Sequence, residues 1–407
     1  MSDMELAAFA RRRMRLAGRR ILDEIGNPWF VALDGLRRDV VARGRPFVSF
    51  ANYDYLGLAD HPAVREAATA AIRDHGTGAL GSRLVGGERL MHRAFEGEIA
   101  DFLGHEAAIT LVSGYLANQQ TIAHLTGVGD LILYDELSHN SIVAGVRSSR
   151  AAAVAFRHGD LAHLRELLEA RRASARHCLV VIESVYSMDG DVADLPGLLA
   201  LKDEFGFWLL VDEAHSVGAL GATGRGVAER FGVDPRRIDL VVGTLSKAFV
   251  SCGGFVCASG DVIDWLRFTL PGFVFSVGLA PPIAAGARAA LGVLRAEPER
   301  VGRLLANAAR FVGAAKAAGL DTGLSEGTGV APVLLPDLLT TMRAAEALLE
   351  AGYYAPPVVH VGVPKDGSRI RFFLSAAHRT QDIDGAVATL AAFRDSVAES
   401  AWADAEA

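Results

Sequence analysis

The stretch "DLVVGTLSKAFVSCGGFVCAS" (239–259) joins two apolar runs through a turn of small residues that carries one lysine, Lys247. Neither run alternates between apolar and polar residues, which is typical of strands in a sheet that is covered on both faces. A lysine at the end of such a strand is unusual, because burial disfavours the charged ammonium form. The stretch therefore predicts a helix-covered sheet with a functional amine at its edge.

The same pattern extends towards the N-terminus. Short apolar runs alternate with helical segments such as "GDLAHLRELLEARR" (159–172), and this alternation is typical of parallel strands joined by helical crossovers. The sequence thus predicts an α/β fold, in which helices flank a mostly parallel seven-stranded sheet. The candidate strands lie at 107–112, 130–135, 151–156, 178–184, 207–213, 239–244 and 253–259.

The sequence pattern changes after Pro281 and Pro282. From there it predicts long helices rich in Ala, Leu and Arg, followed by a few short strands. We therefore expect a smaller α+β C-terminal domain over 286–407. It would follow a large α/β domain over 61–285 and an N-terminal helix and arm over 1–60. A chain of 407 residues is long enough for such a division.

Composition excludes several classes of function. The formal charge is −7, which argues against a general nucleic-acid or membrane-surface role. The three cysteines, Cys178, Cys252 and Cys257, lack the spacing of a metal site or a CxxC pair, so we expect no metal and a reducing cytoplasm. Apolar runs are too short for a membrane span. The basic segment 1–26 predicts an amphipathic helix that packs on its own subunit or on a partner.

The glycine-rich segment "GTGALG" (76–81) matches the GxGxxG pattern of dinucleotide-binding proteins. In that fold the pattern follows a strand, whereas here the preceding segment "HPAVREAATAAIRDH" (61–75) predicts a helix. An NAD-dependent oxidoreductase is therefore disfavoured. A loop that closes over a ligand and a flexible surface loop both stay open.

Polar residues gather at the carboxyl ends of the predicted strands, where open α/β sheets bind ligands. The segment "SGYLAN" (113–118) opens a helix whose free N–H groups suit a phosphate. His139 follows the next strand, Asp212 and His215 follow a later one, and Lys247 follows the last of the parallel run. A lysine, an aspartate and two histidines beside a phosphate-binding helix start match the needs of pyridoxal 5′-phosphate.

The chemistry of that cofactor explains each residue type. The amine of Lys247 can form a Schiff base with the cofactor aldehyde once desolvation and nearby cations lower its pKa. Asp212 can keep the pyridine nitrogen protonated, so that the ring accepts electrons from a broken bond. His215 can hydrogen-bond the 3′-oxygen, and His139 can lie flat on the ring.

The chain also resembles the α-oxoamine synthase family of fold-type I pyridoxal-phosphate enzymes over nearly its whole length. That family includes 8-amino-7-oxononanoate synthase, glycine C-acetyltransferase, serine palmitoyltransferase and 5-aminolevulinate synthase. The motifs that carry the resemblance are "NYDYLGL" (52–58), "GSRLVGG" (81–87), "SMDGD" (187–191), "VDEAHSVGALGATGRG" (211–226), "TLSKA" (244–248) and "RIRFFLSAAH" (369–378).

The resemblance implies the same roles for Lys247, Asp212, His215 and His139, and it adds further site residues. It implies that the amino-acid carboxylate is held by Arg371. The remaining implied residues are Gly114, Tyr115 and Thr244 on the phosphate, Ser276 on the phosphate of the dimer partner, Ser187 near the cofactor, and Asn52 and Ser82 along the substrate pocket.

The implied reaction joins a small amino acid to an acyl thioester, acyl-CoA or an acyl-carrier protein, and releases carbon dioxide, the free thiol and an α-amino ketone. The implied assembly is a homodimer with sites at the subunit interface. Val250 stands where the family often has glycine, and Val277 where it often has a small polar residue. Two alternatives stay open: an aminotransferase or lyase of the same fold type, and a non-catalytic partner subunit of a serine palmitoyltransferase-like complex.

Overall fold

The structure is a computed structural model that describes residues 6–16, 29, 31–35, 37–42, 44–358 and 367–405. Part of the basic helix predicted over 1–26 is present as an α-helix, Leu6–Leu16, and the rest of that prediction lies outside the described residues. No helix in the described ranges is long and apolar enough to cross a membrane.

The strands fall into a central set and two smaller sets. The central set is β4 (Ala107–Leu111), β5 (Leu131–Asp135), β6 (Ala152–Phe156), β7 (Cys178–Glu183), β8 (Trp208–Asp212), β9 (Leu240–Thr244) and β10 (Gly254–Ala258). The smaller sets contain β1 (Leu33–Asp34), β2 (Asp39–Ala42), β3 (Arg45–Ser49), β11 (Val330–Leu334), β12 (Tyr353–Tyr354), β13 (Pro357–Val358) and β14 (Arg369–Phe373).

Helices separate most of the central strands and dominate the C-terminal part. They are α1 (Leu6–Leu16), α2 (Pro62–His75), α3 (Leu90–Leu103), α4 (Gly114–Leu125), α5 (Asn140–Ser148), α6 (Leu161–Arg171), α7 (Leu195–Phe205), α8 (Val227–Phe231), α9 (Gly260–Thr269), α10 (Pro271–Val274), α11 (Pro281–Ala296), α12 (Glu299–Ala317), α13 (Leu338–Glu350) and α14 (Thr380–Ala405).

The central strands form one seven-stranded sheet in the order β4-β10-β9-β8-β7-β5-β6. Only β10 runs antiparallel to its neighbours, β4 and β9, so the predicted mostly parallel sheet is confirmed, with each strand within one residue of its expected ends. The register pairs Glu183 with Asp212 and Asp212 with Val242. The carboxyl ends of β7, β8 and β9 therefore lie side by side.

Alternate side chains of the central strands enter two separate apolar layers. Val180 and Val211 belong to the larger core, whereas Val181 and Leu210 belong to the core on the opposite face of the sheet. Fully burying one such aliphatic side chain contributes about 1.5–3 kcal/mol. Helices cover both faces, which explains why the strands lack the alternation of a half-exposed sheet.

Two small sheets accompany the central sheet in the part of the chain that the structure describes. The N-terminal strands β1, β2 and β3 form a sheet that takes β12 from the C-terminal part, and β11, β14 and β13 form the other. The segment before "GTGALG" is helix α2, as the sequence predicts, so the dinucleotide-binding context is absent there. The division predicted at residue 285 falls inside α11, and the domain boundaries stay a prediction.

Candidate active site

A cavity of about 220 Å³ lies at the carboxyl ends of β7, β8 and β9. Nine of the residues singled out from the sequence line this cavity: Gly114, Tyr115, His139, Ser187, Asp212, His215, Thr244, Lys247 and Arg371. The other lining residues are Tyr53, Asn118, Ser141, Glu183, Met188, Ala214, Val242 and Gly243.

Lys247 follows β9 in a tight turn and points its amine into this cavity. Its Nζ atom lies 5.6 Å from the centre of the Tyr53 ring. Burial lowers the pKa of Lys247 to about 8; the Arg371 charge adds to the shift, and nearby carboxylates oppose it. The turn closes through a hydrogen bond from the Val250 amide to the Lys247 carbonyl, 2.8 Å long. Val250 has a φ of 43°, a left-handed conformation that explains why glycine is common there.

Asp212 ends β8 and is almost fully buried. One of its carboxylate oxygens accepts a hydrogen bond from the Ala214 amide at 2.9 Å. The other accepts from the side-chain amide of Asn118 at 2.6 Å, and this amide also donates to Ser141 at 3.1 Å. These donors hold the Asp212 side chain in one orientation.

His215 is buried beside this carboxylate. Its Nδ1 shares a 2.7 Å hydrogen bond with the hydroxyl of Tyr55, a residue with no exposed surface. Burial lowers the pKa of His215 well below its ordinary value, and the charges of Lys247 and Arg371 add to the shift. The imidazole is therefore neutral at pH 7, and its second nitrogen is left to act on a ligand.

His139 caps the N-terminus of α5 and forms one wall of the cavity. Its Nδ1 lies 2.7 Å from the Ser141 hydroxyl, and its main-chain amide donates to Glu183 at 2.6 Å. Burial lowers the pKa of His139, and the neighbouring Lys247 adds to the shift. The hydrogen bonds at Nδ1 and at the main-chain amide therefore hold the ring in place, and the ring is mainly uncharged at neutral pH.

The first turn of α4 provides main-chain N–H groups at another wall. Gly114 contacts Thr244 so closely that a Cβ on Gly114 would lie 2.9 Å from the threonine side chain. A Cβ on Gly254 would lie 2.6 Å from the Gly114 Cα. Glycine at these positions allows the helix start to sit directly against the sheet edge, where its free N–H groups favour an anion.

Arg371 enters the cavity from β14, on the C-terminal part of the chain. Its Nη1 donates to the Ser187 carbonyl at 2.6 Å, and the guanidinium lies 4.5 Å from the centre of the Phe373 ring. The Nε atom of Arg371 is buried and has no hydrogen-bond partner among the residues that the structure describes. A buried donor of this kind is costly, so it favours a ligand that accepts a hydrogen bond.

Three residues singled out from the sequence lie outside this cavity. The Asn52 side chain donates to the Arg37 carbonyl at 2.8 Å, and its neighbour Tyr53 lines the cavity instead. Ser82 pairs with Val277 in an isolated β-bridge, and its buried hydroxyl has no hydrogen-bond partner within the described part of the chain. Ser276 lies in the bend beside this bridge. The single subunit does not bring these side chains to Lys247.

Sequence reasoning missed several lining residues, of which Glu183 and Asn118 have the clearest signals. Glu183 ends the apolar run "CLVVIES" (178–184), so a carboxylate at that strand end was visible in the sequence. Burial raises the pKa of Glu183 to about 8, with Asp212 adding to the shift. Asn118 closes the segment "SGYLAN", one helical turn after Gly114. Nothing in the sequence pattern distinguished Tyr53 from Asn52 as the residue that lines the cavity.

The residues present fit pyridoxal 5′-phosphate. The cavity combines an amine with a lowered pKa, a carboxylate held by hydrogen bonds, a helix start that opens with glycine and an arginine whose buried Nε has no partner among the described residues. An aldehyde, a ring nitrogen, a phosphate and a substrate carboxylate are the groups that such a set would bind.

Comparison with known proteins identifies the family. The sequence profile of the family "Aminotransferase class I and II" matches residues 45–390. The 8-amino-7-oxononanoate synthase of Geobacter sulfurreducens is 43% identical over 354 residues, which cover 86% of this chain and 90% of that protein. The enzyme of the same name from Methylobacterium nodulans is 44% identical over 342 residues, covering 84% and 85% of the two chains.

Solved structures give the same result. A serine palmitoyltransferase from S. paucimobilis with a bound PLP–myriocin aldimine matches with a TM-score of 0.92 and 30% identity, over 97% of this chain and 99% of that one. The serine palmitoyltransferase of Sphingomonas wittichii matches with a TM-score of 0.91 and 30% identity, over 96% and 98% of the chains. The chain therefore belongs to the class I and II aminotransferase family of fold-type I pyridoxal-phosphate enzymes and, within it, to the α-oxoamine synthases.

Proposed function

We propose that the chain is a pyridoxal-phosphate-dependent acyltransferase that joins a small amino acid to an acyl thioester, with loss of carbon dioxide and release of the free thiol. The observation that carries the proposal is the shared cavity of Lys247, Asp212 and Arg371. An amine, a carboxylate and a guanidinium in about 220 Å³ can act together on one cofactor and one amino acid.

Lys247 is proposed to hold the cofactor and to move the proton at the amino-acid Cα. A pKa near 8 leaves part of its population as free amine at neutral pH, and only the free amine can attack a carbonyl or accept a proton. The bound cofactor supplies a conjugated, protonated ring that stabilises negative charge at the carbon where a bond breaks. Asp212 is proposed to keep that ring nitrogen protonated, supported by its hydrogen bond from Asn118.

The two histidines are proposed to orient the ring. When the Tyr55 hydroxyl donates to Nδ1 of His215, the proton of the neutral imidazole lies on Nε2, which can then donate to the 3′-oxygen. His139 is proposed to lie against the ring face, because its backbone and Nδ1 are both held by hydrogen bonds. Ser187 would contribute from the loop that follows β7.

Two groups of cavity residues are proposed to bind anions: one binds the cofactor phosphate, and the other binds the amino-acid carboxylate. The phosphate would contact the N–H groups of Gly114 and Tyr115 together with the Thr244 hydroxyl, since a helix N-terminus favours negative charge. The amino-acid carboxylate would bind Arg371, whose unpaired Nε supports this role. Both contacts would fix the Cα of the amino acid next to Lys247.

Relatives suggest which substrates to test first. The curated relatives are named 8-amino-7-oxononanoate synthase, and that product contains the skeleton of alanine without its carboxyl group, joined to a seven-carbon diacid chain. The structural relatives are serine palmitoyltransferases, whose name gives serine and palmitoyl. We propose alanine with a seven-carbon dicarboxylic acyl thioester as the leading pair, with carrier protein or coenzyme A as the thiol.

The test incubates the purified protein and pyridoxal phosphate with alanine, serine or glycine and a matched acyl thioester. We expect thiol and carbon dioxide to be released in equal amounts and only when both substrates are present. Turnover of an amino acid with a keto acid in place of the thioester would instead identify an aminotransferase. Cofactor binding without any turnover would reject the acyltransferase proposal.

A homodimer is also proposed, since several exposed apolar side chains lie close in sequence to Ser276 and to Ser82, which pairs with Val277. Leu80 and Phe275 are 94% and 87% exposed, and Val85 is also exposed nearby in sequence. The Gly278 amide donates to the Gly81 carbonyl at 3.1 Å, so the two segments form one surface. Exposed apolar side chains on two adjoining segments support a protein contact at this surface. A second copy would bury it and would bring Ser276 to the partner's phosphate.

Sedimentation of the full chain tests the dimer. We expect wild type to sediment as a dimer and Phe275→Asp to sediment as a monomer, because a buried charge disfavours the interface. Val128→Asp is the matched control, since Val128 is an exposed apolar residue outside this surface. Ser276→Ala should keep the dimer and weaken binding of pyridoxal phosphate. If the wild type sediments as a monomer, the proposal of a site shared between two subunits is rejected.

A further inference from the structure

A group of charged residues lies beside the cavity but does not line it. The imidazole of His158 sits between two carboxylates: its Nδ1 lies 3.0 Å from Oδ1 of Asp135, and its Nε2 lies 3.1 Å from Oδ2 of Asp191. The ring centres of His158 and Tyr186 lie 4.4 Å apart, with the two ring planes at 80° to each other. We call His158, Asp135 and Asp191 the clamp.

Both nitrogens of His158 face carboxylate oxygens, and an imidazole can donate from both nitrogens only when it is protonated. Burial lowers the pKa of His158, but the hydrogen bonds and charges of Asp135 and Asp191 outweigh this effect and raise the pKa to about 10. A third carboxylate, that of Glu136, accepts a hydrogen bond from the His158 amide at 3.1 Å. The ring is therefore a cation between acidic neighbours.

The first carboxylate of the clamp belongs to the turn that leads to His139. Asp135 is fully buried at the end of β5. Its side chain accepts hydrogen bonds from the Leu137 amide at 2.9 Å and the Gly159 amide at 3.0 Å, and its carbonyl accepts from the Ser138 amide at 3.0 Å. The turn from 135 to 139 thus starts at a residue that His158 holds.

The second carboxylate belongs to the loop that carries Ser187 and Met188. The Asp191 carbonyl accepts a 3.1 Å hydrogen bond from the Tyr186 amide, which closes this loop at its base. Ser187 and Met188 line the cavity, and the Ser187 carbonyl holds Arg371. The clamp is therefore connected to both walls of the cavity, although none of its members touches the space inside.

We propose that His158 is a positioning residue, whose double hydrogen bond sets the distance between the His139 wall and the Ser187 wall of the cofactor cavity. A neutral glutamine carries both of its N–H donors on one nitrogen, so it cannot place a donor at both positions that Nδ1 and Nε2 of His158 occupy. One carboxylate would then be a partly buried charge without its partner, and its loop would relax. This inference rests on the proposed cofactor site and concerns its geometry alone.

The test compares His158→Gln with His163→Gln in the full chain. His163 is a matched control, because its ring accepts a hydrogen bond from the Arg157 amide and lies outside the clamp. In His158→Gln we expect amide hydrogen exchange in 135–139 and 186–191 to be faster by about tenfold or more, the factor for one charge-assisted hydrogen bond. His163→Gln should match wild type in both segments.

Cofactor binding gives the second readout. We expect His158→Gln to raise the dissociation constant of pyridoxal phosphate by about tenfold and to change the visible circular dichroism of the bound cofactor. Asp191→Asn, which keeps the side-chain shape, should change both in the same direction and serves if His158→Gln does not fold. A lower melting temperature with unchanged dichroism and cofactor affinity would overturn the inference. Failure of acyl transfer in a wild type that binds the cofactor would reject only the proposed function.

Discussion

The cavity and the clamp use the same residue types at the same edge of the sheet, yet their histidines have opposite charge states. His215 in the cavity has a tyrosine hydroxyl as its partner and two cations nearby, so its pKa is lowered and its ring is neutral. His158 in the clamp has a carboxylate at each nitrogen, so its pKa is raised to about 10 and its ring is charged.

This difference separates two uses of a histidine beside aspartates. A charge that is fully paired holds loops in place, because breaking the pair leaves a buried carboxylate without compensation. A neutral ring with one open nitrogen can instead exchange hydrogen bonds with a ligand. Substitutions in the cavity should therefore change chemistry more than stability, and substitutions in the clamp should do the reverse.

The largest effect is expected at Lys247. Lys247→Ala should lower turnover by more than about 1,000-fold while the melting temperature stays near that of wild type, because the residue provides both the attacking amine and the proton carrier. Borohydride reduction followed by intact-mass measurement should find no covalently attached cofactor. Lys202→Ala is the control, since that lysine pairs with Asp239 away from the cavity. Retained turnover in Lys247→Ala would contradict the assignment.

The next largest effect is expected when Asp135 and Asp212 are each replaced by asparagine and the two variants are compared. Asp135→Asn should lower the free energy of unfolding by about 3 kcal/mol, because it removes one charge of a buried pair. Asp212→Asn should leave stability within about 1 kcal/mol of wild type and lower turnover by about 100-fold or more. Urea unfolding and initial rates measure the two quantities. The comparison fails if Asp212→Asn is the less stable variant.

Arg371 gives a smaller effect on one substrate. Arg371→Ala should raise the KM for the amino acid by about 30-fold, the value of one charge-assisted hydrogen-bond pair, and should change the KM for the thioester by less than about threefold. Arg310→Ala, which removes a surface arginine paired with Asp384, is the control. Equal changes in both KM values would count against a carboxylate contact.

The smallest effect is a pH dependence within the wild type. The pKa of Lys247 is lowered to about 8, so the fraction of free amine rises with pH and levels off above that value. The rate at which pyridoxal phosphate attaches to the cofactor-free protein should rise by up to about tenfold per pH unit below pH 8. Stopped-flow absorbance measures this rate. A midpoint near the ordinary lysine pKa would show that the amine is not desolvated.

The fold and the centre of the site were predictable because both follow from local patterns. Each central strand is an apolar run. Because the strands that carry the site are parallel, the residue that follows each run lies at the same edge of the sheet. Lys247, Asp212 and His215 were found in this way. The choice between Asn52 and Tyr53 was not, because a loop has no regular periodicity that fixes side-chain directions, and only the path of the loop decides which residue faces the cavity.

The sequence by itself determined the strand order along the chain, the chemistry at the strand ends and the family. Tertiary structure alone decided that Tyr53 and not Asn52 lines the cavity, that Ser276 stays away from Lys247 within one subunit, and that His158 bridges two loops. The physical reason is the sequence separation between the residues that interact. Strand formation depends on neighbouring residues, whereas the direction and charge of a side chain depend on partners that are distant in sequence and become close only when the chain has folded.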